Sequence, residues 1–409
     1  MIIKRITAYI LLFNIYFFTL LVAIIGGIIP RRRWKPTGRI AVTGTFFNPN
    51  WYLSHVTPLA RSGVKEVILV VDEPQMPMDN VTFVCPPKWV AKILSRAGAK
   101  AIWMLLAGLR YKPDLYMGYH IAPGACSALV AGRIFGRPSC YQMTGGPAEV
   151  IGGGIDASES VGGSLGRPSK LIESLAIHVI RKFDLIVVRG SKARDYLKDQ
   201  KVKGTIAIIT GSVKEHQKLS QSDRTYDLIN VGQLVPRKQV EQFVTIVHLT
   251  SQQLPKIKAA VVGDGPLLED LKAQAAQLGL SDKIEFLGKR KDVEAILGSS
   301  KVFVMNSKLE GLAIAMMEAM AAGAVPVVAD VGDLSDLVND GVNGYLIEPN
   351  NIDRYIERII PILQDQSLKE KLSLKSIEDA KNNCYINVIS GRWQHNLQET
   401  IRRAPKVII

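Results

Sequence analysis

Residues 309–330 read LEGLAIAMMEAMAAGAVPVVAD. The stretch is mostly apolar, yet it carries two carboxylates, Glu310 and Glu318, eight positions apart. A segment that favours burial keeps charged groups only where they are paired or used. KVFVMN (301–306) ahead of it reads as a buried strand and VPVVAD (325–330) as another, with a helix starting near Gly311 to Ala313 between them. Two strands joined by a helix form a unit of parallel sheet. The first amides of such a helix lack intrahelical partners, so they suit an anionic phosphate. Glu318 is expected about two turns in, roughly 10 Å along the axis. Ionised carboxylates accept strong hydrogen bonds from hydroxyls. The spacing therefore suits a ligand with a sugar at each end of a diphosphate. Taken alone, the pair reads more readily as a turn cap at Glu310 and, at Glu318, a side chain that snorkels or pairs with a lysine.

The alternation extends in both directions. Upstream in the same half, DLINVGQL (227–234), IKAAVVGDG (257–265) and KIEFLG (283–288) read as strands separated by helical segments; GYLIEP (344–349) is a last strand. The earlier half repeats the scheme with IAVTG (40–44), VKEVILVVDE (64–73), VTFVC (81–85), DLYMGYH (114–120), SCYQMTGG (139–146), DLIVVRG (184–190) and TIAIITGSV (205–213). Apolar strands alternating with helices imply parallel sheets covered on both faces. The fold expected is α/β: two Rossmann-like doubly wound domains facing a central cleft, with ligands outside the carboxyl ends of the strands. The domains are placed at 37–213 and 228–385. The polar stretch 214–227 is read as their linker, and 386–409 as a C-terminal helix crossing back to the first domain.

With 409 residues the chain exceeds one ordinary core. Four scattered cysteines, Cys85, Cys126, Cys140 and Cys384, form no CxxC pair, which argues against a disulfide framework or zinc site. The net charge of +14 calls for an anionic partner. From Thr7 to Pro30 no residue is charged, which is long enough to span a bilayer. Residues 1–36 are therefore read as a single-pass membrane anchor with a basic collar at Arg31, Arg32, Arg33 and Lys35. A monotopic hairpin or an interfacial helix is the alternative. The collar is the heavier positive cluster, which places the large domains in the cytoplasm. It also accounts for the densest basic run, so nucleic acid is not expected as a partner.

At this point a family resemblance emerges. The stretch 309–330 resembles the E-x7-E signature of retaining, GT-B-fold glycosyltransferases of family four, the glycosyl transferases group 1. VGQLVPRKQ (231–239), VVGDGPLLEDLKAQAAQLGL (261–280), KIEFLGKRKDV (283–293) and LVNDGVNGYLIEPNN (337–351) resemble that family's other blocks, in order. The resemblance is specific over Ile229 to Asn351 and weak over the first half. It implies that Glu310 holds hydroxyls of a donor sugar and that Gly311, Leu312 and Ala313 offer backbone amides to it or to the diphosphate. Glu318 would hold the nucleotide ribose, and Lys238 would be the phosphate-binding lysine. Gly232 lies in the phosphate loop, and Gly263, Asp264 and Gly265 form the turn beside the nucleotide. Gln233 stands where the family carries an arginine, and Arg237 is the candidate to supply that charge. In the first half the resemblance makes Gly44 the close-approach glycine of the first loop. His120, at the end of its strand, becomes a catalytic candidate facing the sugar being transferred. His55 in SHVTPLA matches a family histidine but reads equally as a helix-surface residue. His178 reads as core or surface. The loops at 144–160, with Glu149 among them, read either as a cover over the acceptor or as mobile surface. Trp393 is expected to pack the C-terminal helix against the first domain.

The reaction expected is transfer of a hexose-type unit from a nucleoside-diphosphate sugar, with configuration retained, to a lipid-linked or membrane-proximal glycan acceptor. No Asp-x-Asp occurs, so no metal is expected, and no cofactor beyond the donor. A catalytically silent scaffold that binds sugar nucleotides is the rival reading, favoured by Gln233. A dinucleotide oxidoreductase is disfavoured because no G-x-G-x-x-G follows the first strand.

Overall fold

The computed structural model describes residues 2–29, 38–46, 49–155, 161–215 and 224–403. The basic collar expected at Arg31 to Lys35 lies outside the described residues, as does most of the expected linker. The chain forms two compact units, Met1–Gly211 with Ile389–Ile409, and Ser212–Val388.

The first unit runs α1 (Ile2–Ile25), β1 (Arg39–Thr43), α2 (Pro49–Ala60), β2 (Glu66–Val70), β3 (Val81–Val84), α3 (Lys88–Tyr111), β4 (Leu115–Tyr119), α4 (Cys126–Ile134), β5 (Ser139–Met143), α5 (Lys170–Ile180), β6 (Leu185–Val188), α6 (Ser191–Asp199) and β7 (Thr205–Ile208). The second runs β8 (Tyr226–Val231), α7 (Val240–Gln253), β9 (Ala259–Val262), α8 (Leu268–Gln277), β10 (Ile284–Gly288), α9 (Val293–Gly298), β11 (Ser300–Met305), α10 (Ile314–Ala321), β12 (Val325–Ala329), β13 (Tyr345–Ile347), α11 (Ile352–Gln364) and α12 (Gln366–Cys384). The last helix, α13 (Ile386–Arg403), carries the chain back into the first unit.

Each unit holds one parallel sheet. The strand orders are β3-β2-β1-β4-β5-β6-β7 and β10-β9-β8-β11-β12-β13. Both contain the doubly wound arrangement, in which strand order reverses between two central neighbours. The reversal falls between β1 and β4 in one unit and between β8 and β11 in the other. There, adjacent helices leave the sheet on opposite faces, and a crevice opens at the strands' carboxyl ends. The central strands are buried on both sides, which is why they read as unbroken apolar runs.

In the first sheet Ala41, Ile68, Tyr116 and Tyr141 project to one face. That face is covered by α3, α4 and α5. Val42, Leu69 and Met117 project to the other, under Tyr52, Val56 and Leu59 of α2 and Ile389, Trp393 and Leu397 of α13. Trp393 is thus a packing residue.

Three expectations change. The units divide between Gly211 and Ser212, ahead of the stretch read as a linker, of which residues 216–223 lie outside the described residues. Its end is ordered: the Arg224 guanidinium is buried and donates to the carbonyls of Ser300 and Gly323, and Tyr226 already opens β8. Its polarity and lack of apolar periodicity made it read as a linker, but Arg224 within it is paired with backbone that only the fold brings near. Second, α10 begins at Ile314, with Ala313 extended as its cap. Glu318 is then the fifth residue, about 6 Å along the axis rather than two turns. Third, the apolar helix α1 does not stand apart. Residues Ile3–Ile28 are long and apolar enough to cross a membrane, but 28% of that window is buried. Ala8, Leu12, Tyr16, Thr19 and Ala23 form one stripe, and its apolar members join the core beneath α4 and α5.

Candidate active site

In the second unit β8 ends at Val231, Gly232 follows, and the chain makes a tight turn over Pro236–Lys238. Proline at the start of the turn presets its φ, and Gln239 closes it in the left-handed region at φ 48°. This turn meets the segment leaving β11. The Lys308 amide donates to the Arg237 carbonyl (2.9 Å), and the Arg237 guanidinium donates to the Leu309 carbonyl (3.1 Å). Lys238 Nζ then lies 2.5 Å from Glu310 Oε1, and Arg237 lies 3.7 Å from Oε2. The Glu310 side chain is 7% exposed. Burial alone would push its pKa up, but Lys238 and then Arg237 outweigh that and hold it below the usual value.

Glu318 is the opposite case. Burial, and then Glu294 on α9, push its pKa up to about 7 despite Lys214. One glutamate of the pair is therefore held ionised, while the other is poised near neutrality.

Two glycines permit the close approaches here. A Cβ on Gly263, at φ 149°, would lie 1.8 Å from the Gly232 carbonyl oxygen, so the loops after β8 and β9 touch through backbone. A Cβ on Gly332, at φ 55°, would lie 2.1 Å from the Glu310 carbonyl oxygen. The Asp333 amide also donates to the Gly311 carbonyl (3.0 Å), so the loop after β12 buttresses Gly311 to Ala313. The sequence reading brought Gly232, Arg237, Lys238, Glu310 and Gly311 to Ala313 to one end of one sheet, and the structure places them there. Asp264 is exposed and turned onto its own loop, accepting from the Gly265 amide (2.7 Å). Gln233 is exposed. Asn306, four positions before Glu310, was missed. It is 3% exposed, and neither end of its amide has a partner among the described residues. A polar residue closing the apolar run KVFVM was the signal.

In the first unit Gly44 follows β1 and His120 follows β4, at the point where strand order reverses. A Cβ on Gly44 would lie 3.1 Å from Tyr119 Cβ, and the Gly44 carbonyl accepts from the buried Lys100 ammonium (3.1 Å). His120 has φ 57° and ψ 147°. Its Nδ1 is 3.0 Å from Glu149 Oε1. Glu149 is no loop-surface residue. It is 6% exposed and accepts from the Gly145 amide (2.6 Å) and the Tyr141 hydroxyl (2.8 Å). Glycine-rich sequence reads as mobile, but here it folds around a buried carboxylate. Burial pushes the Glu149 pKa up; His120 and the hydrogen bonds pull it below the usual range. His55 is not on the helix surface but buried, with Nδ1 2.9 Å from the Trp51 carbonyl and its ring stacked on Trp51 at 4.4 Å. Burial, then Arg189, hold it well below its ordinary pKa, hence neutral. His178 is exposed.

The depressed Glu149 pKa carries a stability signature. Its contribution is present above the unfolded carboxylate pKa and is lost as pH falls through the folded one. Glu149→Gln is expected to destabilise the protein by about 1.5–3 kcal/mol at neutral pH, the scale of hydrogen bonds to a charged group. The difference should vanish in acid. Denaturant titrations of both proteins across pH check this; a pH-independent difference would mean that packing, not charge, is what the carboxylate supplies.

Among the described residues no group of three His, Cys, Asp or Glu side chains is placed to hold a metal ion. Residues 212–382 match the family described as glycosyl transferases group 1. Over that stretch the chain is similar to the family. The UDP-Gal:alpha-D-GlcNAc-diphosphoundecaprenol alpha-1,3-galactosyltransferase of Escherichia coli is 29% identical over 188 residues, which are 45% of this chain and 46% of that protein. The N-acetyl-alpha-D-glucosaminyl L-malate synthase of Bacillus anthracis is 27% identical over 168 residues, 41% of this chain and 43% of that one. The chain thus matches less than half the length of these curated relatives. Among solved structures, Anabaena HepE in complex with UDP superposes with a TM-score of 0.69 at 16% identity, over 88% of this chain and all of that one (100%). Sucrose-phosphate synthase of Thermosynechococcus elongatus gives 0.72 at 16% identity, over 90% and 100%. The fold of this chain is therefore GT-B.

Proposed function

We propose that the protein is a retaining hexosyltransferase that takes a nucleoside-diphosphate sugar as donor and a lipid-linked or membrane-proximal glycan as acceptor. The observation that carries this reading is the Lys238–Glu310 pair, 2.5 Å apart, just ahead of α10. Cleaving a sugar–diphosphate bond builds negative charge on the leaving phosphate. Fixed cations and free helix amides stabilise such charge best where water is excluded. In this reading Lys238 and Arg237 serve the phosphates and Arg237 supplies the charge that Gln233 lacks. The amides of Gly311 to Ala313 join them. Glu310 accepts hydroxyls of the donor sugar and Glu318 those of the ribose, while Gly232, Gly263, Asp264 and Gly265 shape the nucleotide loop. His120, held by Glu149, is assigned to contact the reacting groups. Retention follows from attack on the face the phosphate leaves, the phosphate taking the acceptor's proton, so no protein nucleophile is required. The Escherichia coli relative, named for UDP-galactose and a diphosphoundecaprenol acceptor, supports a uridine nucleotide and a lipid-linked acceptor.

A panel of nucleoside-diphosphate sugars tests the reading. A true donor at a hundred times its dissociation constant is expected to add about 2.7 kcal/mol to unfolding, and to be hydrolysed slowly without acceptor. Binding without any turnover would favour the silent-scaffold reading instead; no protection by any member of the panel would defeat both.

A further inference from the structure

α1 is docked along its whole length. At one end, a Cβ on Gly166 would lie 2.1 Å from Arg5 Nε; at the other, a Cβ on Gly26 would lie 2.7 Å from Arg133 Cβ on α4. From Arg5 to Gly26 a helix rises about 32 Å, close to the hydrocarbon thickness of a bilayer. A crossing α1 would therefore carry α4 and α5 into the lipid with it. α5 holds Lys170, Glu173 and His178, and ionisable groups at membrane depth are expensive.

What α1 leaves uncovered is its opposite stripe, including Ile6, Ile10, Phe17, Leu21 and Ile24. α3 flanks α4 on its other side, over the same face of the sheet. It buries Met104 and Ala107, and exposes Trp89, Ile93, Ile102, Leu106 and Leu109. It is two helical pieces joined at Ser95 (φ 66°), whose hydroxyl accepts from the Gly98 amide (3.2 Å) and caps the second piece. Lys88, Lys92, Arg96 and Arg110 are exposed on α3, and neither α3 nor α1 contains a carboxylate. Apolar residues bordered by cations, of which Lys88 meets Glu73 at 3.6 Å, with tryptophan among them, form the pattern of a helix lying in a headgroup layer. A second copy would bring cation against cation.

We infer that α1 and α3 together form one face by which the first unit seats on an anionic lipid surface, with α1 lying along that surface instead of crossing it. This face is independent of the donor chemistry, so its test uses no sugar nucleotide. The full chain is mixed with vesicles of phosphatidylcholine, with and without phosphatidylglycerol, and sedimented. The chain is expected to follow the anionic vesicles, and Ile93→Asp with Leu106→Asp to lower the bound fraction several-fold while thermal unfolding in detergent stays unchanged. The part of the emission lost in Trp89→Phe is expected to be quenched by lipids brominated in their acyl chains. Binding unaltered by the α3 substitutions, or Trp89 emission untouched by bromine, would overturn the proposal; both are what α1 crossing alone would produce. A detergent-sensitive dimer that ignores vesicles would overturn it as well.

Discussion

Replacing Lys238 by methionine is expected to destabilise the second unit by about 3–5 kcal/mol, the scale on which a buried charge stripped of its partner is destabilising. Glu310 is almost fully covered, and Arg237 at 3.7 Å is too distant to replace an ammonium at 2.5 Å. Transfer should fall by about 10²–10³, as when one preorganised donor to a developing negative charge is removed. The double variant Lys238→Met with Glu310→Leu separates the two effects. Removing both charges leaves nothing buried and unpaired, so most of the stability should return. Transfer should not, because both groups are then missing from the reaction. Chemical denaturation and single-turnover transfer measure the two quantities on the same samples. A Lys238→Met protein that transfers sugar at the original rate would remove the lysine from the chemistry.

Glu318 gives the second large effect, and its sign is reversed. Its folded pKa, about 7, lies above the usual 4.5, so between those values the folded state holds a proton that the unfolded state has released. Stability then falls as pH rises through this window, and above it the buried charge is destabilising by about 3 kcal/mol. Glu318→Gln is expected to raise stability by that order at pH above 7, and to change little below the unfolded carboxylate pKa. Donor binding should move the opposite way. If ribose hydroxyls donate to this carboxyl, they favour the ionised form, so affinity in the original protein should strengthen as pH climbs through 7. In the glutamine variant affinity should be weaker and flat with pH. Calorimetric titration of UDP across that range reads both. An identical pH dependence in the two proteins would place the nucleotide away from Glu318.

The two glutamates mark how far sequence reasoning reached. Their residue type, their spacing and their place between two buried strands follow from the order of apolar and charged residues. So does the alternation that sets two parallel sheets, because a strand covered on both faces must be apolar throughout. Opposite protonation behaviour does not follow. Lys238 is 72 positions from Glu310 in the chain and 2.5 Å away in space, whereas Glu318 faces Glu294. Glu149 makes the same point. Glycine-rich sequence around it says only that the backbone can bend, while burial of its carboxylate under Tyr141 and His120 is a tertiary fact.

The N-terminal helix separates the two levels most sharply. Its length and lack of charge are properties of the sequence, and they make it a helix that must escape water. Whether lipid or protein covers it depends on what is nearby. The stripe from Ala8 to Ala23 finds α4 and α5 because those helices lie over one face of the sheet, an arrangement set by strand order. Composition decides that apolar surface must be covered, since that preference belongs to each side chain alone. Only the assembled fold decides which surface does the covering, because that depends on residues far apart in the chain.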